Sequence, residues 1–359
     1  LIYILLQLEA LHKAYRSSAM RPATHLVFIE EPEAHLHPQM QEVFISQLNA
    51  AVATLSQKYP VEPVWQVQFI VSTHSSHLAN AAQFDAIRYF LNETTAHAGV
   101  RRTKVKDFRR GAEAISPEDR RFLQQYMTLT KCDLYFADKA ILVEGATERI
   151  LMPRISKILD ADLPADSKLS RQYITTIEAG GAHAQVFYPL LEFLELKTLV
   201  ISDLDAVRLL DSKWRKCPCA EGERTSNSAL RAWFDEPHIS VHDLMAKTTA
   251  DKTKGFCRIA FQMPEDGSAH CARSYEDALI LANLADFEIA DDAEAAKNAW
   301  ETAQDFKKSE EAIKFAVREE NWNVPRYIRE GLIWLSEPTP PPDAPPPIVH
   351  DGEPGEPAV

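Results

Sequence analysis

The stretch ILVEGATER (141–149) sets one carboxylate, Glu144, at the end of an apolar run, with Gly145 behind it and Glu148 one helical turn further on. In LVISDLDA (199–206), Ser202, Asp203 and Asp205 follow a second apolar run in the same manner. The carboxyl ends of neighbouring parallel strands open into one crevice, so these four acids would converge. Such crowding is costly unless divalent cations compensate it. An all-oxygen donor set suits Mg2+ or Mn2+. Two such ions, about 3.5–4 Å apart, can activate a water and stabilise the leaving oxygen of an in-line displacement at phosphorus. The chemistry to expect is phosphodiester hydrolysis.

Elements must carry these acids to one edge. KAILVE (139–144), QYITTIE (172–178), KTLVIS (197–202) and FCRIAFQ (256–262) read as strands, with helical stretches between them, TERILMPRISKIL being interrupted or restarted at Pro153. Strands alternating with helices predict a doubly wound parallel sheet. Ahead of it, LVFIEE (26–31) reads as a buried strand ending in Glu30 and Glu31, followed by a helix from Gln39 to about Gln57. WQVQFIVSTH (65–74) is a second strand ending in a polar cluster with His74. Residues 84–110 read as strand and loop, Pro117 begins a helix running towards Thr130, and Tyr275 to Leu335 is helical. The domain boundaries expected are 1–130, 131–265, 266–336 and a tail, 337–359. That tail is rich in proline and acids and holds no Lys or Arg, so neither helix nor sheet is expected there.

The chain has 359 residues, 45% hydrophobic and 25% charged, as an ordinary globular protein would. No apolar run reaches the roughly 18 residues of a membrane span, and LIYILLQLEAL reads as a buried helix, not a signal peptide. A cytoplasmic protein with no membrane partner is expected. Five cysteines, odd in number and sparse, fit reduced thiols better than disulfides. Cys217-Pro-Cys219 with Cys257 and Cys271 lacks the spacing and histidines of a usual zinc site. The formal net charge of -13 argues against bulk electrostatic coating of DNA but leaves room for a local basic face.

The order of EGxxE, GGAH (180–183) and SDLDA resembles the TOPRIM domain of topoisomerases, primases and OLD (overcoming lysogenization defect) nucleases. The polar segment TSN (225–227) is similar to one that OLD proteins carry after the Asp-x-Asp. RSYEDALILAN (273–283) resembles the family's second acidic element, which implies Glu276 as a metal ligand and Asp277 less so. KKSEEAIKFA (307–316) resembles its lysine element, which implies Lys308, or Lys307 in a neighbouring register, as the basic residue. The alternatives are a helix-surface acid for Glu276 and a solvated face for the lysines. By that resemblance Glu144, Asp203 and Asp205 would hold one ion. Glu148 and Glu276, with Ser202 able to contribute its hydroxyl, would hold or bridge to the other. Lys308 would stabilise charge in the transition state.

LVFIEEPEAHLHP and IVSTHSSHLAN resemble the Walker B strand and switch region of ABC-type ATPases of the SMC, Rad50 and OLD branch. The resemblance implies that Glu30 helps hold a nucleotide's Mg2+, Glu31 polarises water and His74 lies near the γ-phosphate. Taken alone, the EEP acids could be a helix-capping pair. No G-x-x-x-x-G-K-[ST] loop occurs in the 359 residues, so nothing here would cradle phosphates. The expectation is a partial ABC-ATPase segment without ATPase activity of its own, ATP acting only in the full-length protein.

Together these readings imply an Mg2+- or Mn2+-dependent DNA endonuclease, ATPase-regulated in the full protein and similar to anti-phage OLD nucleases, Gabija-type ones included. A homodimer through the ATPase domain is implied, and room is left for a helicase partner. The run RRTKVKDFRR (101–110), six basic residues in ten, would contact DNA phosphates through Arg101, Arg102, Lys104, Lys106, Arg109 and Arg110. A solubilising loop is the alternative for that run. A non-catalytic TOPRIM module for DNA binding or partner docking is the alternative for the whole.

Overall fold

The computed structural model describes residues 2–94, 101–111, 115–130, 133–180 and 183–338, without the side chains of Glu93, Thr94 and Arg101. Cys132, Gly181, Ala182 and the tail from Thr339 lie outside the described residues. No described helix is long and apolar enough to cross a membrane.

The first lobe pairs two parallel strands, β1 (His25–Glu30) and β2 (Val67–Ser72), in the register Glu30 opposite Ser72. Helices α1 (Ile2–Ser17), α2 (Pro38–Lys58) and α3 (Ser76–Ala81) enclose a small core of Leu8, Tyr15, Phe44, Leu48, Trp65 and Leu78. Two expectations need correction here. β1 is not buried: alternate side chains point outward, and Phe28 is 72% exposed. A sheet of two strands with helices on one face leaves its other face open. Helix α1 likewise buries only one stripe, Leu8, His12 and Tyr15, while Ile2, Tyr3 and Leu6 are exposed.

Next comes an antiparallel hairpin, β3 (Arg88–Thr94) with β4 (Arg101–Asp107), then α4 (Phe108–Gly111) and α5 (Pro117–Thr130). Phe108 is fully buried, edge-on to Phe84, Tyr135 and Phe193, and ties the hairpin to the lobe that follows.

That lobe is a five-stranded sheet. Its parallel strands are β5 (Lys139–Val143), β6 (Ile174–Glu178), β7 (Lys197–Ile201) and β12 (Cys257–Ala260), and β11 (Thr253–Lys254) is an antiparallel edge. The order across the sheet is β11-β12-β7-β5-β6. Strand β5 is buried along its whole length, as a sheet covered on both faces requires. Ala140 and Leu142 face one core with α5, α7 (Ala184–Leu194) and α8 (Ser228–Phe234), and α9 (Val241–Met245) closes its end. Ile141 and Val143 face the other, with α6 (Ala146–Leu159), α10 (Tyr275–Ala282), α12 (Lys308–Val317) and α13 (Arg326–Ser336). Helix α11 (Ala295–Gln304) packs on α10. Helix α13 lies so close to β7 that a Cβ on Gly331 would come within 2.8 Å of Leu199 Cδ1.

Helix α6 runs unbroken through Pro153, where an interruption was expected. Burial of Leu151, Met152 and Ile155 around the proline outweighs the missing backbone bond. Between β7 and β12 the chain adds a small antiparallel sheet of β8 (Ala206–Leu210), β9 (Lys213–Lys216) and β10 (Arg224–Thr225), in the order β10-β8-β9.

Candidate metal centre

Register is what brings the acids together. Leu142 of β5 stands beside Val200 of β7, so the residues just beyond each strand, Glu144 and Ser202-Asp203, share one edge. Glu144 Oε1 accepts from the Ser202 hydroxyl, from Asn227 Nδ2 at 2.6 Å and from the Asp203 N–H at 3.2 Å. Asp203 Oδ1 accepts from Gln262 Nε2 at 2.7 Å, and Gln262 Oε1 in turn accepts from the Leu204 N–H at 2.6 Å. Gln262 is fully buried just beyond the end of β12.

Asn227 does three jobs with one amide. Its Nδ2 also donates to the Asp203 carbonyl at 2.8 Å, and its Oδ1 caps α8 through the Ala229 and Leu230 N–H groups. Asp205 adopts a left-handed backbone conformation, with φ at 49°. Its N–H donates to the Arg273 carbonyl, and its Oδ1 takes an ion pair from Arg273 at 2.5 Å.

Glu148 lies in the first turn of α6 and is buried, as is Glu276 at the start of α10. Helix α12 packs on α6 and delivers Lys308 to Glu276 Oε1 at 2.9 Å. Lys307 pairs instead with Glu310 at 3.5 Å, on its own helix. Asp277 is a capping residue: it accepts from the Ser274 N–H and hydroxyl at 2.7 and 2.6 Å and from the Arg273 N–H at 2.6 Å.

Electrostatics show how tightly the acids crowd. Burial raises the Asp203 carboxyl well above the usual range, and the charges of Glu144, Glu148, Asp205 and Glu276 raise it further. Burial, then the charges of Glu276 and Glu144, push Glu148 up to about 7 against a backbone hydrogen bond and Lys308. Glu144 is raised by burial and by Asp205 in spite of its three donors. For Lys308, burial opposes the charge, but the bond to Glu276 and the fields of Asp203 and Glu148 hold its ammonium above the usual range.

Among the described residues, no three His, Cys, Asp or Glu side chains stand close enough as oriented to chelate an ion. The donors instead bind Ser202, Asn227, Gln262, Arg273 and Lys308, as above. Two observations still fit a hard cation. The converging donors are all oxygens, and the buried Tyr275 hydroxyl, which feels Glu148, Glu276 and Asp203, has no hydrogen-bond partner among the described residues.

The other expected residues fall elsewhere. Glu30, Glu31 and His74 share the edge of the β1–β2 sheet, where Glu31 Oε1 lies 3.3 Å from His74 Nε2 and Glu33 Oε1 accepts from the His74 N–H at 2.5 Å. A cavity of about 590 Å³ opens beside them, lined by Glu33, Gln41, His74, Asp133, Phe136 and Tyr173. In the basic run, Lys106 is buried, and both Lys104 and Lys106 bind Glu195, at 2.5 and 2.7 Å. These two lysines fasten the hairpin to α7. Arg102, Arg109 and Arg110 are exposed.

Sequence reasoning did not single out Gln262 or Arg273, and it quoted Asn227 only within TSN. Nothing local signals them, because each partner lies far along the chain: Gln262 is 59 residues from Asp203 and Arg273 is 68 from Asp205.

Comparison with known proteins finds two domain matches and several relatives. Residues 135–205 match the overcoming lysogenization defect protein-like TOPRIM domain, and residues 1–79 match an AAA ATPase domain. The chain is 27% identical to endonuclease GajA of Bacillus cereus over 378 residues, covering 94% of this chain and 52% of the relative. It is 28% identical to the OLD nuclease of Thermus scotoductus over half of this chain and 30% of the relative. It is 27% identical to the Old nuclease of Escherichia phage P2 over 53% of this chain and 29% of the relative. The chain thus spans about half the length of the first relative, and the matches take in under a third of the other two. The chain carries a match to an OLD-like TOPRIM domain, a match to an AAA ATPase domain ahead of it, and likeness to three curated nucleases.

Proposed function

We propose that this chain is the nuclease region of an OLD-family protein, a DNA endonuclease that depends on two Mg2+ or Mn2+ ions. The observation that carries the reading is the convergence of Glu144, Glu148, Asp203, Asp205 and Glu276 on one crevice with Lys308 at its rim. So much buried negative charge destabilises a fold and repels DNA unless cations compensate it. Glu144, Asp203 and the second oxygen of Asp205 would hold one ion, and Glu148, Glu276 and the Ser202 hydroxyl the other. Ions bound there would supply an activated water and stabilise the leaving 3′-oxygen.

The protein's own groups have distinct tasks. Asn227 orients the Glu144 carboxylate and Gln262 that of Asp203. Arg273 fixes Asp205 through Oδ1. Lys308 keeps a permanent positive charge to meet the charge that develops on the phosphoryl oxygens. Hydrolysis of this kind needs no tyrosine nucleophile. An anti-phage role, regulation by ATP and pairing through the ATPase segment belong to the same proposal and are supported by the family likeness.

Supercoiled plasmid tests the reading. Wild-type protein with Mn2+ should convert it to cut forms, EDTA should stop the reaction, and Asp203→Ala should be inactive. Equal cleavage by Asp203→Ala would overturn the assignment. No cleavage by wild type with either ion would favour a non-catalytic TOPRIM module.

A further inference from the structure

Strand β8 begins at the residue after Asp205, so whatever it carries is placed beside the acid cluster by the covalent chain. Asp211 and Ser212 connect it to β9, both in left-handed conformation, as a tight two-residue turn requires. Strand β9 reads Lys-Trp-Arg-Lys and is exposed along its whole length. Arg208 stands directly opposite Arg215, and Leu209 opposite Trp214. Arg224 of β10 stacks on Trp214, its guanidinium carbon 3.6 Å from the ring centroid.

The charges on this hairpin are poorly compensated. The acids near it are Asp211 in the turn, Glu221, which pairs with Arg208, and Glu223, which accepts from the Leu209 N–H at 3.2 Å. Among the described residues, Lys213, Arg215 and Lys216 form no ion pair. Two arginines directly opposite on a ladder destabilise it, and exposed Leu209 and Trp214 add nothing to a core. Folding alone gives no reason for this composition in a chain of net charge -13.

We infer that the β8–β9 hairpin is the surface on which the DNA backbone rests as it enters the metal centre. Lys213, Arg215 and Lys216 meet phosphates, and the Trp214–Arg224 stack keeps the ribbon stiff and cationic. By strand rise, the turn lies about 17 Å from Asp205, the span of about five base pairs. The contact is to phosphates, so it positions DNA without reading its sequence. This rests on the nuclease reading above, and it moves the DNA path away from the 101–110 run, where Lys104 and Lys106 are bound to Glu195.

The test is the salt dependence of binding to a fluorescent 30-base-pair duplex, measured by anisotropy in EDTA so that nothing is cut. The triple variant Lys213→Ala/Arg215→Ala/Lys216→Ala should flatten the slope of log K against log salt by about 2 to 3. The double variant Lys213→Arg/Lys216→Arg, which leaves Arg215 in place, should keep it, and both variants should melt with wild type. Unchanged slope in the Ala variant, or a loss seen only in Arg102→Ala/Arg109→Ala/Arg110→Ala, would overturn the hairpin assignment. Plasmid cleavage separates the two readings. Wild-type cutting with a salt slope that the hairpin does not affect defeats the hairpin alone. A hairpin-dependent slope without any cutting defeats the nuclease alone.

Discussion

At the scale of single residues, the two sides of Lys308 divide its roles. It neutralises Glu276 at 2.9 Å and faces the field of Asp203 and Glu148, whereas Lys307 sits on the outer face with Glu310. Lys308→Ala should therefore lower single-turnover cleavage by about 100-fold, while Lys307→Ala leaves it near wild type. Equal losses would contradict the register. Asn227→Ala removes a helix cap and two bonds at the acid cluster together. It should lower stability in urea by about 1 kcal/mol and weaken Mn2+ binding, which a simple capping role would leave unchanged. The acids themselves were legible because each follows an apolar run, and strand chemistry puts such residues at one edge. Gln262 and Arg273 were not, since hydrogen bonds across 59 and 68 residues leave no local pattern.

At the scale of elements, helix α13 ends in an unusual clamp. Lys139 and Lys197 open β5 and β7, and both are buried. Lys139 Nζ donates to the carbonyls of Leu335, Ser336 and Glu337, at 2.5, 3.1 and 2.6 Å, and Lys197 Nζ donates to those of Trp334 and Glu337. These are the carbonyls a helix terminus leaves unsatisfied, and the positive charge suits the end of the helix dipole. Lys197→Met should cost about 1–3 kcal/mol in urea unfolding, and a midpoint at or above wild type would contradict the clamp. β5 and β7 could be read from the sequence because burial on both faces demands nearly continuous hydrophobic runs. β6, an edge strand only partly buried, and β12 could be read from their β-branched residues and their place in the alternation with helices. β8 to β10 could not, because they are only two to five residues long and the basic, fully exposed β9 carries no apolar run. The open face of β1 was misread for the reverse reason. Leu26 and Phe28 look like core residues, but no described element covers them.

At the scale of the whole molecule, the acid cluster should govern stability. In metal-free protein, Glu148 is raised to about 7, with Glu144 and Asp203 also raised. Groups raised on folding hold protons the unfolded chain has released, so stability falls as pH rises from about 4.5 through 7. Melting in EDTA should thus occur lower at pH 7.5 than at pH 5.5, and Mn2+ should close the gap at the higher pH. A melting point that climbs with pH in EDTA would contradict this. ATP should yield no phosphate above background with this chain, since it lacks a phosphate-cradling loop. All of this hangs on whether the clustered carboxylates recruit cations, and calorimetric titration of the apo-protein with Mn2+ asks that directly. Saturable binding by wild type that is lost in both Glu144→Ala and Asp203→Ala is the predicted result. Binding that survives in either variant at wild-type strength would contradict it.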